Sequence, residues 1–180
     1  IKKLKGYVSN VSPSVRDRAQ IVYGNKNWNT QVEGVGVTYE QIRSATPVVG
    51  RFFTEEEVKA RKKVALIGTT VLKELFGESN PIGENIKINL INFKVVGVLP
   101  EKGSTGMQDQ DDTVIIPITT AMYRVFGKQY IDSLYVEASG PDRIDAAQDK
   151  ISEVIIKEHR LITEAQKDSF QIRNMSDIKK

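Results

Sequence analysis

Hydrophobic positions along this chain change period several times, and each change marks an element. Ile1 and Leu4 before Gly6 read as the last turn of a helix stopped by glycine. From Arg16 to Asn25 the period is two, with Ala19, Ile21 and Tyr23 predicted on one buried face. A second strand follows through Val32, Gly34 or Val35, and Val37, its glycines suggesting close backbone approach or a bulge. Two short helices come next. Thr38 with Gln41 predicts a capped start for one, and Thr54 ahead of Glu55, Glu56 and Glu57 predicts the other, with acids at the positive end of its dipole.

The stretch "VALIGTTVLKELFG" supplies a buried strand, Val64 to Ile67, and a helix, Thr69 to Phe76, ended by Gly77. A turn at Asn80 to Gly83 leads to a hairpin, in which Ile86, Ile88 and Leu90 share one face and Phe93 and Val95 another, linked at Ile91 and Asn92. Glu101 to Asp112 is a polar loop, long against the roughly 4 to 6 residues usual for connections. "TVIIPITTAMYRVFG" adds a strand and a short helix. After Gly127 comes an alternating strand with Leu134, Val136 and Ala138 inward. The longest helix, from Gly140 to Arg160, carries Ile144, Ala147, Ile151, Val154 and Ile155 on one stripe, with Pro141 in its first turn. "FQIRNM" predicts a closing strand. The pattern suggests an α+β chain of two lobes, the N-terminal strand pairing with the C-terminal strand, helix and strand, and the middle being an insertion.

Composition narrows the chemistry. The 26 basic and 23 acidic residues of this 180-residue chain are mixed along it, so the pI near 9 reflects a small imbalance and gives nucleic-acid binding no support. There is no cysteine, which excludes disulfides, thiolate metal sites and cysteine nucleophiles. No apolar run approaches the roughly 18 to 20 residues that span a bilayer. The piece is expected to be soluble, and its ends, "IKKLKG" without an initiator methionine and "NMSDIKK", read as those of an excised fragment.

Strand, glycine and helix in sequence at Gly68 resemble a phosphate loop only in outline. A Walker loop needs further glycines and a lysine at its end; here Thr69 and Thr70 follow Gly68, Lys73 lies inside the helix, and the pair of threonines reads as a helix cap. His159 is the only histidine and has no visible partner. The run Asp109 to Asp112 lacks the turning glycine and distal glutamate of a calcium loop and reads as solvated. Serine-nucleophile motifs are absent. Trp28, the sole tryptophan, is expected to serve local packing. These residues imply no catalytic site, metal or cofactor.

The order of motifs carries more. Gly50, Arg51, Phe52, Phe53, Thr54 and Glu57, then "VALIG", "LFG", "NPIG", "FKVVGVL" and "VIIP", resemble the extracytoplasmic core domain of MacB-like or FtsX-like ABC transporter permeases, over nearly the whole chain. The resemblance implies a fold with a porter-like α/β sandwich lobe from both chain ends, 1–29 and 128–180, and an inserted mixed sabre-like lobe, 30–127. It implies an inner-membrane protein with this domain periplasmic, between the first two of four membrane helices. A second permease copy and a cognate ABC ATPase domain or subunit are the implied partners, with ATP hydrolysed in the cytoplasm and no catalysis here. Relatives receive a periplasmic adaptor or membrane fusion protein, grip lipoproteins or peptides, or activate cell-wall hydrolases. The expected function is export or mechanical transmission; the alternative is a cell-division-type regulator of a peptidoglycan hydrolase. A stand-alone enzyme is disfavoured by the missing motifs. The candidate contact is the loop Glu101 to Asp112, through Gly103, Ser104, Met107 and Gln108, because loops on rigid strands commonly carry recognition; the alternative is a plain connector.

Overall fold

The computed structural model describes residues 8–105, 108–129, 131–138 and 144–158. The opening helical turn, Pro141, His159 and the closing strand all lie outside these residues. Two compact units are formed, one by 12–135 and one by 1–11 with 136–180.

In the larger unit, the strand expected from Arg16 starts earlier, so that β1 spans Val8–Tyr23, and it pairs antiparallel with β2 (Lys26–Val35). Ala19 and Ile21 are buried and Tyr23 is partly buried against the core, as the two-residue period predicts. β2 pairs in parallel with β9 (Thr113–Pro117), β9 antiparallel with β4 (Val64–Ile67), and β4 in parallel with β6 (Ile91–Val98). β5 (Asn85–Ile88) then joins β6 on one side to β1 on the other. These pairings form a closed circuit, β1, β2, β9, β4, β6, β5 and back to β1. Closure satisfies strand edges that an open sheet would expose. Two further strands attach to it: β3 (Val49–Gly50) to β6, and β10 (Ser133–Ala138) to β1.

The core follows from the sequence. Val64, Ala65, Leu66 and Ile67 are all buried, as expected of a strand covered on both faces. They pack with Ile115, Ile116, Val95 and Phe93, and with Val71 and Leu75 of α3 (Thr69–Leu75). Gly34 answers to close approach: a Cβ there would lie 2.3 Å from the Cβ of Ala121. Ala121 begins a π-helical segment, Ala121–Phe126, which continues α4 (Ile118–Thr120).

Caps divide sharply. Thr54 caps α2 (Glu55–Lys59) in a full capping box, its hydroxyl accepting from the Glu57 N–H at 3.2 Å while the Glu57 carboxylate accepts from the Thr54 N–H at 3.0 Å. Thr38 makes no side-chain cap to α1 (Tyr39–Ile42), its own backbone being already helical at φ −69° and ψ −15° where a capping residue is extended. Gly68, with extended backbone, is the N-cap of α3. Thr69 and Thr70 therefore lie inside the helix instead of capping it.

The β5 to β6 hairpin also corrects the sequence reading. Ile88 pairs with Ile91, so the turn is Asn89 and Leu90, both in the left-handed region at φ 48° and 70°. That is the geometry of a two-residue hairpin turn. It lifts Leu90 off the face of Ile86 and Ile88 and leaves it 87% exposed. On β10 the expected inward Leu134 is exposed and Tyr135 packs against the core instead.

In the smaller unit, Asn10 donates to the Glu137 carboxylate at 3.0 Å, and α5 (Ile144–Glu158) buries Ala147 with Ile144 and Ile151 half-buried on the same stripe. Val154, Ile155 and Ala138 are outside the described side chains.

Candidate functional site

The loop singled out from the sequence includes a short two-stranded arm. β7 (Ser104–Thr105) and β8 (Gln108–Asp109) pair antiparallel, Ser104 opposite Asp109 and Thr105 opposite Gln108. Gly103 sits at φ 76°, where glycine is at ease and other residues are not. Its carbonyl accepts from the Gln110 N–H at 3.2 Å, which closes the base of the arm. Met107 lies outside the described residues, and of Ser104 and Gln108 only the backbone is described.

Three aspartates organise that base, one closing it on its own backbone and two fastening it to neighbouring elements. Asp111, buried, accepts from the Lys102 N–H at 2.7 Å and the Gly103 N–H at 2.9 Å. Asp109 accepts from the Thr70 hydroxyl on α3 at 2.6 Å and from the Asp111 N–H at 2.9 Å. Asp112 accepts from the Trp28 indole at 2.8 Å and the Thr30 hydroxyl at 2.6 Å, both on β2. The Asp109 to Asp112 run is therefore structural and not merely solvated. The Thr70, Trp28 and Thr30 donors come from residues far away in sequence, which no local motif reveals. The Thr70 hydroxyl, then the Asp111 N–H, hold the Asp109 carboxyl below its ordinary value, with Lys73 adding to the effect. Backbone contact completes the seat: a Cβ at Gly68 would lie 2.1 Å from the Asp111 carbonyl, and the Thr70 N–H donates to that carbonyl at 3.2 Å.

Beside the arm is a hollow of about 50 Å³ lined in part by Tyr39, Arg43, Lys102 and Asp111. The Lys102 ammonium donates to the Arg43 carbonyl, tying the arm to the end of α1. Below it a buried polar network crosses the sheet. Glu33 on β2 accepts through Oε1 from the Ser14 hydroxyl at 2.7 Å, the Tyr135 hydroxyl at 2.7 Å and Arg16 Nε at 3.2 Å. Burial, then the Glu33 charge, push the Tyr39 phenol up to about 12, and the same two causes raise that of Tyr135. Both phenols stay neutral at any physiological pH, and that of Tyr135 serves as the donor to Glu33.

The arrangement suits binding more than proton transfer. The carboxylates at the arm are engaged with neutral donors, and no pair of them flanks a cavity in the manner of an acid and base. Among the described residues no group of three or more His, Cys, Asp or Glu side chains could hold a metal ion. No helix among them is long and apolar enough to cross a membrane.

Residues 1–154 match the family model described as the MacB-like periplasmic core domain. The chain is 54% identical to the macrolide export ATP-binding/permease protein MacB of Bdellovibrio bacteriovorus over 99% of its length, and 53% identical to that of Chlorobium phaeobacteroides over all of it. In both cases it spans 27% of the relative's length. Its fold is that of the solved periplasmic region of MacB from Actinobacillus actinomycetemcomitans (TM-score 0.75, 24% identity, 86% of this chain and 69% of that one). The extracellular domain of the ABC-type transporter YknZ from Gram-positive bacteria is similarly alike (TM-score 0.74, 19% identity, 88% of this chain and 81% of that one).

Proposed function

The chain belongs to the MacB-like periplasmic core domain family, and from that premise we propose that it is the non-catalytic extracytoplasmic domain of an inner-membrane ABC permease used in export. In this reading ATP is hydrolysed on the cytoplasmic side, and the domain converts the resulting motion of the membrane part into changed contacts with substrate or an adaptor protein. A domain placed so acts by differential affinity between two states, which requires a stiff body and a presented contact element. A second permease copy completes the assembly. The relatives at 54% and 53% identity bear the name macrolide export protein, which points to macrolides as a substrate class to test.

The observation that carries the reading is the arm Lys102–Gln110, fastened at its base to α3 through Asp109 and to β2 through Asp112, and closed on its own backbone through Asp111. Anchoring of this kind lowers the ordering cost of a contact, since the base of the element is already fixed before its partner arrives. A connector would not need it. The lobe division into 1–29 with 128–180 and 30–127 belongs to the same proposal; support comes from the smaller compact unit being built from both chain ends, although its boundaries fall at 11/12 and 135/136.

The test replaces Ser104–Gln108 with glycine and serine in the full-length permease, leaving Gly103 and the three aspartates in place. Expected are unchanged ATPase activity in detergent and at least a severalfold loss of macrolide resistance in cells. Full resistance with the arm tip replaced would sink the contact reading.

A further inference from the structure

A basic surface that the linear sequence understates is assembled at the far end of α2. Residues 59–63, "KARKK", are all exposed. The chain reverses there: the Ala60, Arg61 and Lys62 N–H groups donate to the carbonyls of Glu56, Val58 and Glu57, and Arg61 takes a left-handed φ of 52°. The reversal turns successive cationic side chains outward. The helix containing Tyr123 and Arg124 is fastened against this turn, the Thr120 hydroxyl donating to the Lys62 carbonyl at 2.8 Å and the Thr119 hydroxyl to that of Val58. Tyr123 is 60% exposed, and the Arg61 guanidinium lies over its ring at 4.1 Å. The Lys94 N–H donates to the Lys63 carbonyl at 3.0 Å, bringing one more exposed cation beside the patch.

Among the described residues, Lys59, Arg61, Lys62, Lys63 and Arg124 take part in none of the ion pairs, which involve Arg16, Arg51, Lys128 and Lys150. Glu57 on the same helix is already engaged by Arg51; Glu55 and Glu56, exposed in its first turn, stand four and three positions before Lys59, so the excess of cations is carried by Arg61, Lys62, Lys63 and Arg124. Unneutralised like charges held this close are unfavourable to one another, so their arrangement invites an external anion.

We propose that this patch docks on anionic lipid headgroups. Lysines dominate it, and point charges on flexible stems suit a diffuse anionic plane better than the forked recognition of individual carboxylates. The exposed tyrosine, apolar in body and polar at its tip, suits the headgroup boundary. Charge complementarity identifies the occupant, independently of the arm at residues 101–112.

The experiment uses this 180-residue chain and sedimentation with vesicles of phosphatidylcholine alone or with roughly 30% phosphatidylglycerol. Binding to the anionic vesicles only, lost when salt is raised from about 50 to about 300 mM, is expected. Combined Arg61→Gln, Lys62→Gln and Lys63→Gln should reduce the partition coefficient at least about tenfold, while Lys26→Gln with Lys87→Gln, exposed cations elsewhere, should leave it unchanged. Lys59→Gln with Arg124→Gln provides an independent pair if the triple variant fails to fold, with a several-fold loss expected. Equal binding by the patch variants and wild type, binding indifferent to lipid charge, or binding to polyglutamate or duplex DNA without binding to vesicles would overturn the proposal.

Discussion

Glu57 shows how one side chain serves two masters. It closes the capping box of α2 and receives Arg51 at 2.6 Å. The Arg51 hydrogen bond and the Thr54 N–H hold its carboxyl below the ordinary 4.5, against the opposing effect of partial burial. A carboxyl depressed in the folded state contributes stability that is complete above its unfolded value and lost as pH falls through the folded one. Thermal melts should therefore show the midpoint falling below about pH 4.5, and Glu57→Gln should lower it at pH 7 while making the acid limb shallower. An acid limb as steep as wild type would show that Glu57 is not among its causes. The Thr54 cap and the acidic first turn behind it were legible because both lie within one turn of the helix start. Asp111 was not, since its role depends on burial and on a loop closing over its own backbone.

At the level of elements, the strands around Val64 and Val114 and the long helix were readable from period alone, because continuous apolar runs and helical stripes are imposed by burial. The turn of the β5 to β6 hairpin was misplaced for a physical reason. Leu90 looks like the next member of an alternating strand, yet backbone geometry puts it at φ 70°, where side chains are unfavourable. Leu90→Gly should relieve that conformation and remove an exposed apolar group, raising stability by about 0.5 to 1 kcal/mol after the extra freedom of glycine in the unfolded chain is counted. Urea unfolding reads this directly, and a lower midpoint for the glycine variant would refute it. The misassigned cap at Thr69 and Thr70 has a related cause: an extended Gly68 beneath the Asp111 carbonyl takes the N-cap position, a constraint set by a loop some forty residues away in sequence.

On the scale of the whole molecule, the family and the α+β class were legible, because a series of weak motifs in fixed order is jointly specific. The closed strand circuit was not, since pairing between distant segments leaves no local trace. The larger unit, 12–135, holds a continuous core of its own from Val15 to Ala121. A fragment of residues 12–135 should consequently unfold in a single cooperative urea transition, followed by far-UV circular dichroism. A non-cooperative, sloping profile would mean that this core needs the chain ends.

The parallel pairing of β2 with β9 also determines when the fold can form. Gln31 lies opposite Thr113, 82 positions later, and the Thr113 hydroxyl donates to the Gln31 carbonyl across that interval. During synthesis the first hairpin is available early, but its second neighbour emerges only after most of the larger unit has been made. Until then β2 presents an unpaired edge, and the loop that must close is long. Nascent chains interrupted before residue 113 should thus be the aggregation-prone species, and the cell must shelter them until the strand that seals the ring arrives.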